Sequence, residues 1–134
     1  MPMSFSTFFS LKHIINEISV HNAQKSSPEE LKKCQKALLD IYRNLMQVCD
    51  KYDIKPILVG GTMLGKFRHD GFIPWDDDMD LAMTRKDYEK LKKVFAKEMP
   101  RQFIMEVPNF GAESKYRFMK IRRKNAYCKM AKVF

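Results

Sequence analysis

From Leu31 to Tyr52 the apolar positions Leu31, Cys34, Leu38, Ile41, Leu45, Val48 and Tyr52 alternate steps of three and four, which lays one apolar stripe along an α-helix. Its beginning is written just before it. Ser27, Pro28 and Glu30 form a capping box with proline at the first helical position. The pattern lasts only about three heptads and ends at a strand, so it predicts a scaffold helix lying on a sheet and not a coiled coil.

The pattern then changes period. "KPILVGG", Lys55 to Gly61, is a short apolar run closed by two glycines and predicts a buried strand ending in a tight turn. "TMLGKFRH", Thr62 to His69, follows as a short helix capped by Thr62. After the loop "DGFIP", Asp78 to Met83 alternates strictly: Asp78, Asp80 and Ala82 share one face, and Met79, Leu81 and Met83 the other. Thr84 with Asp87 three residues later resembles another capping box, opening a helix whose apolar side is Tyr88, Leu91, Val94 and Phe95 and whose end Pro100 marks. "RQFIMEV" and "KYRFMKIRR" are candidate strands separated by the turn-rich "PNFGAES", and the tail "KNAYCKMAKVF" has no assigned element. The sum is an α/β (α+β) domain with helices against a small mixed sheet. At the amino terminus Phe5, Phe8, Phe9, Ile14, Ile15 and Ile18 have helical spacing, so residues 1–26 are expected to be a helical extension that covers the core, with contact to a membrane surface as the alternative. Residues 27–134 form the domain proper.

Composition narrows this reading. A chain of 134 residues with 45% hydrophobic residues suits one domain. Cys34, Cys49 and Cys128 are odd in number and never spaced as CxxC, which signals neither a disulfide framework nor a cysteine zinc site and favours a reducing compartment. Lys12 and His13 interrupt the amino-terminal apolar stretch, no secretory signal is expected, and no apolar run is long enough to cross a bilayer. A cytoplasmic location is the expectation, with peripheral membrane association left open. The formal net charge is +9, and eight of the cations follow Glu113, after which no acid occurs.

Against that basic background "IPWDDDMDLAM" gathers Asp76, Asp77, Asp78 and Asp80. A calcium loop is excluded, since Leu81 stands where the sharp turn needs glycine and Asp87 where a bidentate glutamate belongs. A merely solvated acidic loop fits poorly, because Trp75, Met79, Leu81 and Met83 embed the acids in a half-buried strand, where unpaired carboxylates are expensive. A cation must face them. Residues two apart on a strand lie roughly 6.5 to 7 Å apart on one face, so Asp78 and Asp80 can converge on divalent ions, for which Mg2+, or Mn2+, with substrate phosphates is the natural choice. Two such ions suit in-line phosphoryl transfer. Structural pairing of an aspartate with Arg68 or Lys66 is the competing explanation. Gly60 and Gly61 let backbone approach a phosphate, with Thr62 and the helix-start amides as donors.

"LVGGTMLGKFRHDGFIPWDDDMDLAM", Leu58 to Met83, resembles the signature of the LicD family of nucleotidyltransferase-fold proteins, to which fukutin-type sugar-phosphate transferases are related. The likeness continues from about Glu29 through "RKDYEKL" and "YRFMKIRRKNAYC". It implies a nucleotidyltransferase-like domain that moves a phosphorylated alcohol, such as phosphocholine, from a CDP-linked donor to a glycan hydroxyl, as in lipopolysaccharide or teichoic acid biosynthesis. By that resemblance Asp78 and Asp80 match the paired metal aspartates, and Gly60, Gly61 and Thr62 the phosphate-holding turn. Asp76 matches the acidic run and either aids the metals or holds the loop, whereas Asp77 has the wrong parity and is read as a loop-stabilising acceptor. Arg68 fits a phosphate clamp or a bridge to Asp76 or Asp77, and His69 a general base or a hydrogen-bonded loop histidine. Lys120 and Arg122, alternate on a strand, are candidates for neutralising donor phosphates or form a solvated face. Trp75 is a packing anchor or stacks on a base.

One departure qualifies the resemblance. Enzymes of this fold use a third carboxylate from a later strand, and here Glu106 is the one plausible internal substitute. Hence two expectations stand: a Mg2+-dependent phosphotransferase, shortened relative to its family, or a catalytically inactive nucleotide- or metal-binding module lacking the third acid. Nucleic acid is not an expected partner, because few aromatic residues accompany the basic run and the acidic loop repels a phosphate backbone. The oligomeric state is not legible from the sequence.

Overall fold

A computed structural model describes residues 7–12, 27–108 and 118–124. The elements are β1 (Thr7–Lys12), α1 (Pro28–Lys51), β2 (Ile57–Leu58), α2 (Gly60–His69), β3 (Asp78–Met83), α3 (Arg85–Glu98), β4 (Phe103–Glu106) and β5 (Met119–Arg123). The five strands form one mixed sheet in the order β2-β3-β1-β5-β4, with β1 and β5 parallel and the other pairs antiparallel. This is the α/β architecture that the alternating periods predict.

A capping box at Ser27 and a threonine cap at Thr84 locate their helices. The Ser27 hydroxyl accepts from the Glu30 N–H at 3.2 Å while the Glu30 carboxylate accepts from the Ser27 N–H at 3.0 Å, and the Thr84 hydroxyl accepts from the Asp87 N–H at 3.2 Å. Each removes an unsatisfied donor from a first turn and fixes where coil becomes helix. The α1 stripe is buried at Cys34, Leu38, Ile41, Leu45 and Val48, and α3 buries Tyr88, Leu91 and Phe95. These side chains form one core with Met79, Leu81 and Met83 of β3 and with Met119 and Ile121 of β5. The sheet therefore has a core face and a second face, which carries Asp78 and Asp80.

Three boundaries differ from the sequence expectation. Thr7–Lys12 is a strand and not part of an amino-terminal helix: its segment "TFFSLK" is rich in residues that favour extended backbone, and it pairs with β3 on one side and β5 on the other. Phe5, Ile14, Ile15 and Ile18, which supplied most of the helical spacing, lie outside the described residues. Helix α2 begins at Gly60 and not at Thr62, with Val59 as its N-cap and no side chain capping it. The predicted buried strand from Lys55 shrinks to Ile57–Leu58 at the edge of the sheet, where Ile57 is half exposed. Parts of the strands expected at 101–107 and 115–123 form β4 and β5, and residues 115–117 of the second lie outside the described residues, as does the tail from Asn125.

The candidate active site at the acidic loop

The amino end of α2 lies against the acidic segment. Gly60 has φ +58°, a left-handed conformation that glycine adopts at no steric penalty, and a Cβ there would stand 3.9 Å from Asp80 Oδ2. At Gly61 a Cβ would stand 3.0 Å from Asp76 Oδ2. Two consecutive glycines thus bring the start of the helix close to two carboxylates. Peptide dipoles give that helix end a partial positive charge, which favours the acids beside it. The Val59 N–H donates to the Asp80 carbonyl at 3.1 Å, and the Asp80 N–H donates to the Thr62 hydroxyl at 2.8 Å. Thr62, buried, therefore ties α2 to β3 as an acceptor, and only its own O–H proton remains for a phosphate.

The acids themselves converge. One carboxylate oxygen from each of Asp76, Asp77 and Asp78 lies within 4.8 Å of the others, with Asp76 and Asp78 half buried and Asp77 exposed. An all-oxygen donor set of this kind fits a hard divalent cation such as Mg2+ or Mn2+. Asp77, expected as a loop-stabilising acceptor, thus also lies in the group of three: β3 starts at Asp78, so strand parity does not govern the residue before it. Asp78 and Asp80 do share a face, as their alternation predicts, but Asp80 stands apart from the three-acid group and next to Gly60.

Neither of the two α2 cations offered as structural partners pairs with the cluster. Lys66 pairs with Asp70 one turn along the helix, and Arg68, exposed, has no ion pair among the described residues. His69 is the exposed last residue of α2, not a hydrogen-bonded loop histidine. Trp75 is 76% exposed, which removes the packing-anchor reading and leaves an aromatic surface beside the acids.

The basic candidates on β5 divide. Ser10 of β1 is the register partner of both Asp80 and Lys120, and Lys120 is the partner of Glu106. Lys120, buried, thus lies in the same cross-sheet row as Asp80, two strands and roughly 10 Å away. Arg122 donates from Nε to Glu106 Oε1 at 2.8 Å, so both residues are engaged with each other. Glu106 is also three strands, roughly 14 Å, from β3. Glu106, expected as the substitute third carboxylate, and Arg122, expected as a phosphate ligand, are thus held against each other and are not brought to the acidic cluster.

Two contributions were missed in the sequence. Gln35 of α1 donates from Nε2 to the Asp76 carbonyl at 2.9 Å and to the Ile73 carbonyl at 3.4 Å, and the Cys34 thiol lies 3.7 Å from the Asp77 carbonyl. The scaffold helix therefore also holds the acidic loop. Gly65 lets α2 pass against the loop backbone, since a Cβ there would meet Ile73 N at 2.8 Å. The available signal was a polar amide at the rim of an apolar stripe, four residues after Leu31 and three before Leu38.

Comparison with known proteins agrees with the geometry. Over 76 residues the chain is 40% identical to the lipopolysaccharide cholinephosphotransferase LicD of Haemophilus influenzae, covering 57% of this chain and 29% of that protein. Over 54 residues it is 37% identical to the human ribitol 5-phosphate transferase FKRP, covering 40% of this chain and 11% of that one. The chain thus spans less than a third of the length of these relatives. No solved structure matches it. The family model described as LicD/FKTN/FKRP, nucleotidyltransferase domain, matches residues 53–133, more than half of the sequence, and the chain accordingly belongs to the LicD family.

Proposed function

We propose that this chain carries the metal- and donor-binding centre of a phosphotransferase that moves a phosphorylated alcohol from a CDP-linked donor to a glycan hydroxyl. The reading rests above all on the convergence of Asp76, Asp77 and Asp78 within 4.8 Å, with Asp80 beside the glycine start of α2. The relatives' names supply the class of group transferred, a phosphocholine in one and a ribitol phosphate in another.

In this mechanism Asp76, Asp77 and Asp78, with Asp80 on the same strand as Asp78, would hold Mg2+ or Mn2+. When bound, the metal supplies charge neutralisation on the diphosphate and its leaving oxygen. The uncapped N–H groups of Gly60, Gly61 and Thr62 would donate to phosphate oxygens of the CDP-linked substrate, with Arg68, exposed, a further cation for the same charge. Lys120 adds positive charge along the row that contains Asp80. The acceptor hydroxyl oxygen forms a bond to the phosphorus that carries the alcohol. The bond from that phosphorus to the bridging oxygen breaks, CMP leaves with the electron pair, and the hydroxyl proton passes to a carboxylate of the cluster.

A second reading, an inactive metal- or nucleotide-binding module, is favoured by the engagement of Glu106 with Arg122. Two measurements separate the readings. Mn2+ binding followed through Trp75, the one tryptophan in the chain, tests the metal site, and release of CMP from CDP-choline with a glycan acceptor tests turnover. Binding with turnover supports transfer. Binding without turnover supports the module, and no Mn2+ binding rejects the metal site in either reading.

A further inference from the structure

Helix α1 up to Lys51 lies outside the segment matched by the family model, yet it reaches the acidic loop with two side chains. The loop between α2 and β3 runs from Asp70 to Asp77 and contains no regular backbone pairing of its own beyond the turn in which the Asp76 N–H donates to the Ile73 carbonyl at 2.9 Å. Gln35 Nε2 donates to both ends of that same turn, at Ile73 and Asp76. Cys34, its neighbour and a member of the core, sits 3.7 Å from the next carbonyl, that of Asp77.

From these contacts we infer that Gln35 is a positioning residue for the metal centre: by closing the Ile73–Asp76 turn from outside, it sets the backbone from which the Asp76 and Asp77 carboxylates project toward Asp78. The inference rests on the metal reading above. Gln35 is well suited to this task. Its amide carries two donor hydrogens for two carbonyls, and it is neutral, so it orders three like charges without competing with a cation for them. The helix supporting it is anchored by Cys34, Leu38 and Ile41 in the core, so the donor is held on a rigid element while the loop is the part that yields. Three carboxylates at this separation repel one another, and a turn released from its outer tie relaxes by moving Asp76 and Asp77 apart.

The test is Gln35→Met, which keeps the length and removes the donor, with Gln35→Asn as a second variant that keeps the amide but withdraws it by one methylene. Lys36→Met, exposed on the same helix, is the control. The probe is Mn2+ alone, titrated against the full chain and read by Trp75 emission and by equilibrium dialysis. Gln35→Met should weaken Mn2+ binding about tenfold and Gln35→Asn by a similar or smaller factor, with Lys36→Met unchanged and the metal-free thermal midpoints close together. Amide exchange at Asp76 to Asp78 should quicken in the two Gln35 variants only. Mn2+ binding by Gln35→Met within twofold of the parent chain overturns the inference while leaving the metal site intact. A parent chain that binds no Mn2+ overturns the metal reading itself, and this inference with it.

Discussion

The two edges of the sheet differ in the way that matters for chemistry. At the β2–β3 edge there are four aspartates in five positions, a glycine helix start and an outer tie from α1, all at modest burial. At the β4 edge a cavity of about 410 Å³ opens between α3 and β4, lined by Phe95, Met99, Phe103 and Met105 with Arg101 and Lys124 at its margin. Its lining includes no carboxylate and no glycine. Volume there reports a gap between a helix end and a short edge strand, whereas the gathered carboxylates are a donor set whose mutual repulsion a bound cation would relieve.

The strongest way to break this contrast is to neutralise one acid at each edge. Asp78→Asn or Asp80→Asn should lower transfer on the order of a thousandfold, the loss of several kcal/mol of charge stabilisation at the reacting phosphate. Glu106→Gln, which loosens Arg122 at the far edge, should leave the rate within roughly twofold, as expected for an exposed ion pair. A rate assay with CDP-choline decides it. If Glu106→Gln were as damaging as Asp78→Asn, the far edge would belong to the active centre and the contrast would be wrong.

Next in size is Gly65→Ala. The added methyl meets Ile73 N at 2.8 Å, and backbone on both sides leaves it no soft neighbour. Overpacking of this kind costs about 1–3 kcal/mol, which thermal unfolding would register as a fall of several degrees, and Mn2+ affinity should fall with it because the loop is pushed away from α2. Thr62→Val is milder. It removes the acceptor for the half-buried Asp80 N–H, a loss of about 1–2 kcal/mol. Serine at the same position should restore most of it.

How much of this was legible depended on the range of the interaction. The caps at Ser27 and Thr84, the α1 and α3 stripes and the strict alternation of Asp78 to Met83 are local patterns, and each located its element well. The shared face of Asp78 and Asp80 followed from parity alone. What could not be read was which distant pieces meet. Gln35 and Asp76 are far apart in the chain, and nothing in a single sequence pairs an amide with a particular carbonyl. The same holds for Glu106 and Arg122, each a sensible candidate by residue type, which turn out to satisfy each other across β4 and β5. The β1 strand shows the converse failure. Its helical spacing came largely from residues outside it, while the sheet between β3 and β5 overrode that signal by offering backbone partners on both sides.

The smallest expected effect sharpens the contrast from a third place, where α1 ends beside α3. Glu98 accepts from Lys51 Nζ at 2.8 Å and from the Tyr52 hydroxyl at 2.5 Å, and these bonds, Lys51 first, hold its carboxyl below the ordinary value of 4.5. A carboxyl depressed in the folded state stabilises the protein above its unfolded pKa and loses that contribution as pH falls through the folded one. Glu98→Gln should therefore lower the thermal midpoint slightly at pH 7, and the gap from the parent chain should close as the pH falls below the ordinary value of 4.5 and through the depressed folded one. Mn2+ affinity should not move, because the tie fixes the far end of α1 and leaves Gln35 against its turn. A drop in affinity in this variant would mean that the acidic loop responds to where α1 lies as a whole and not to the one amide that touches it.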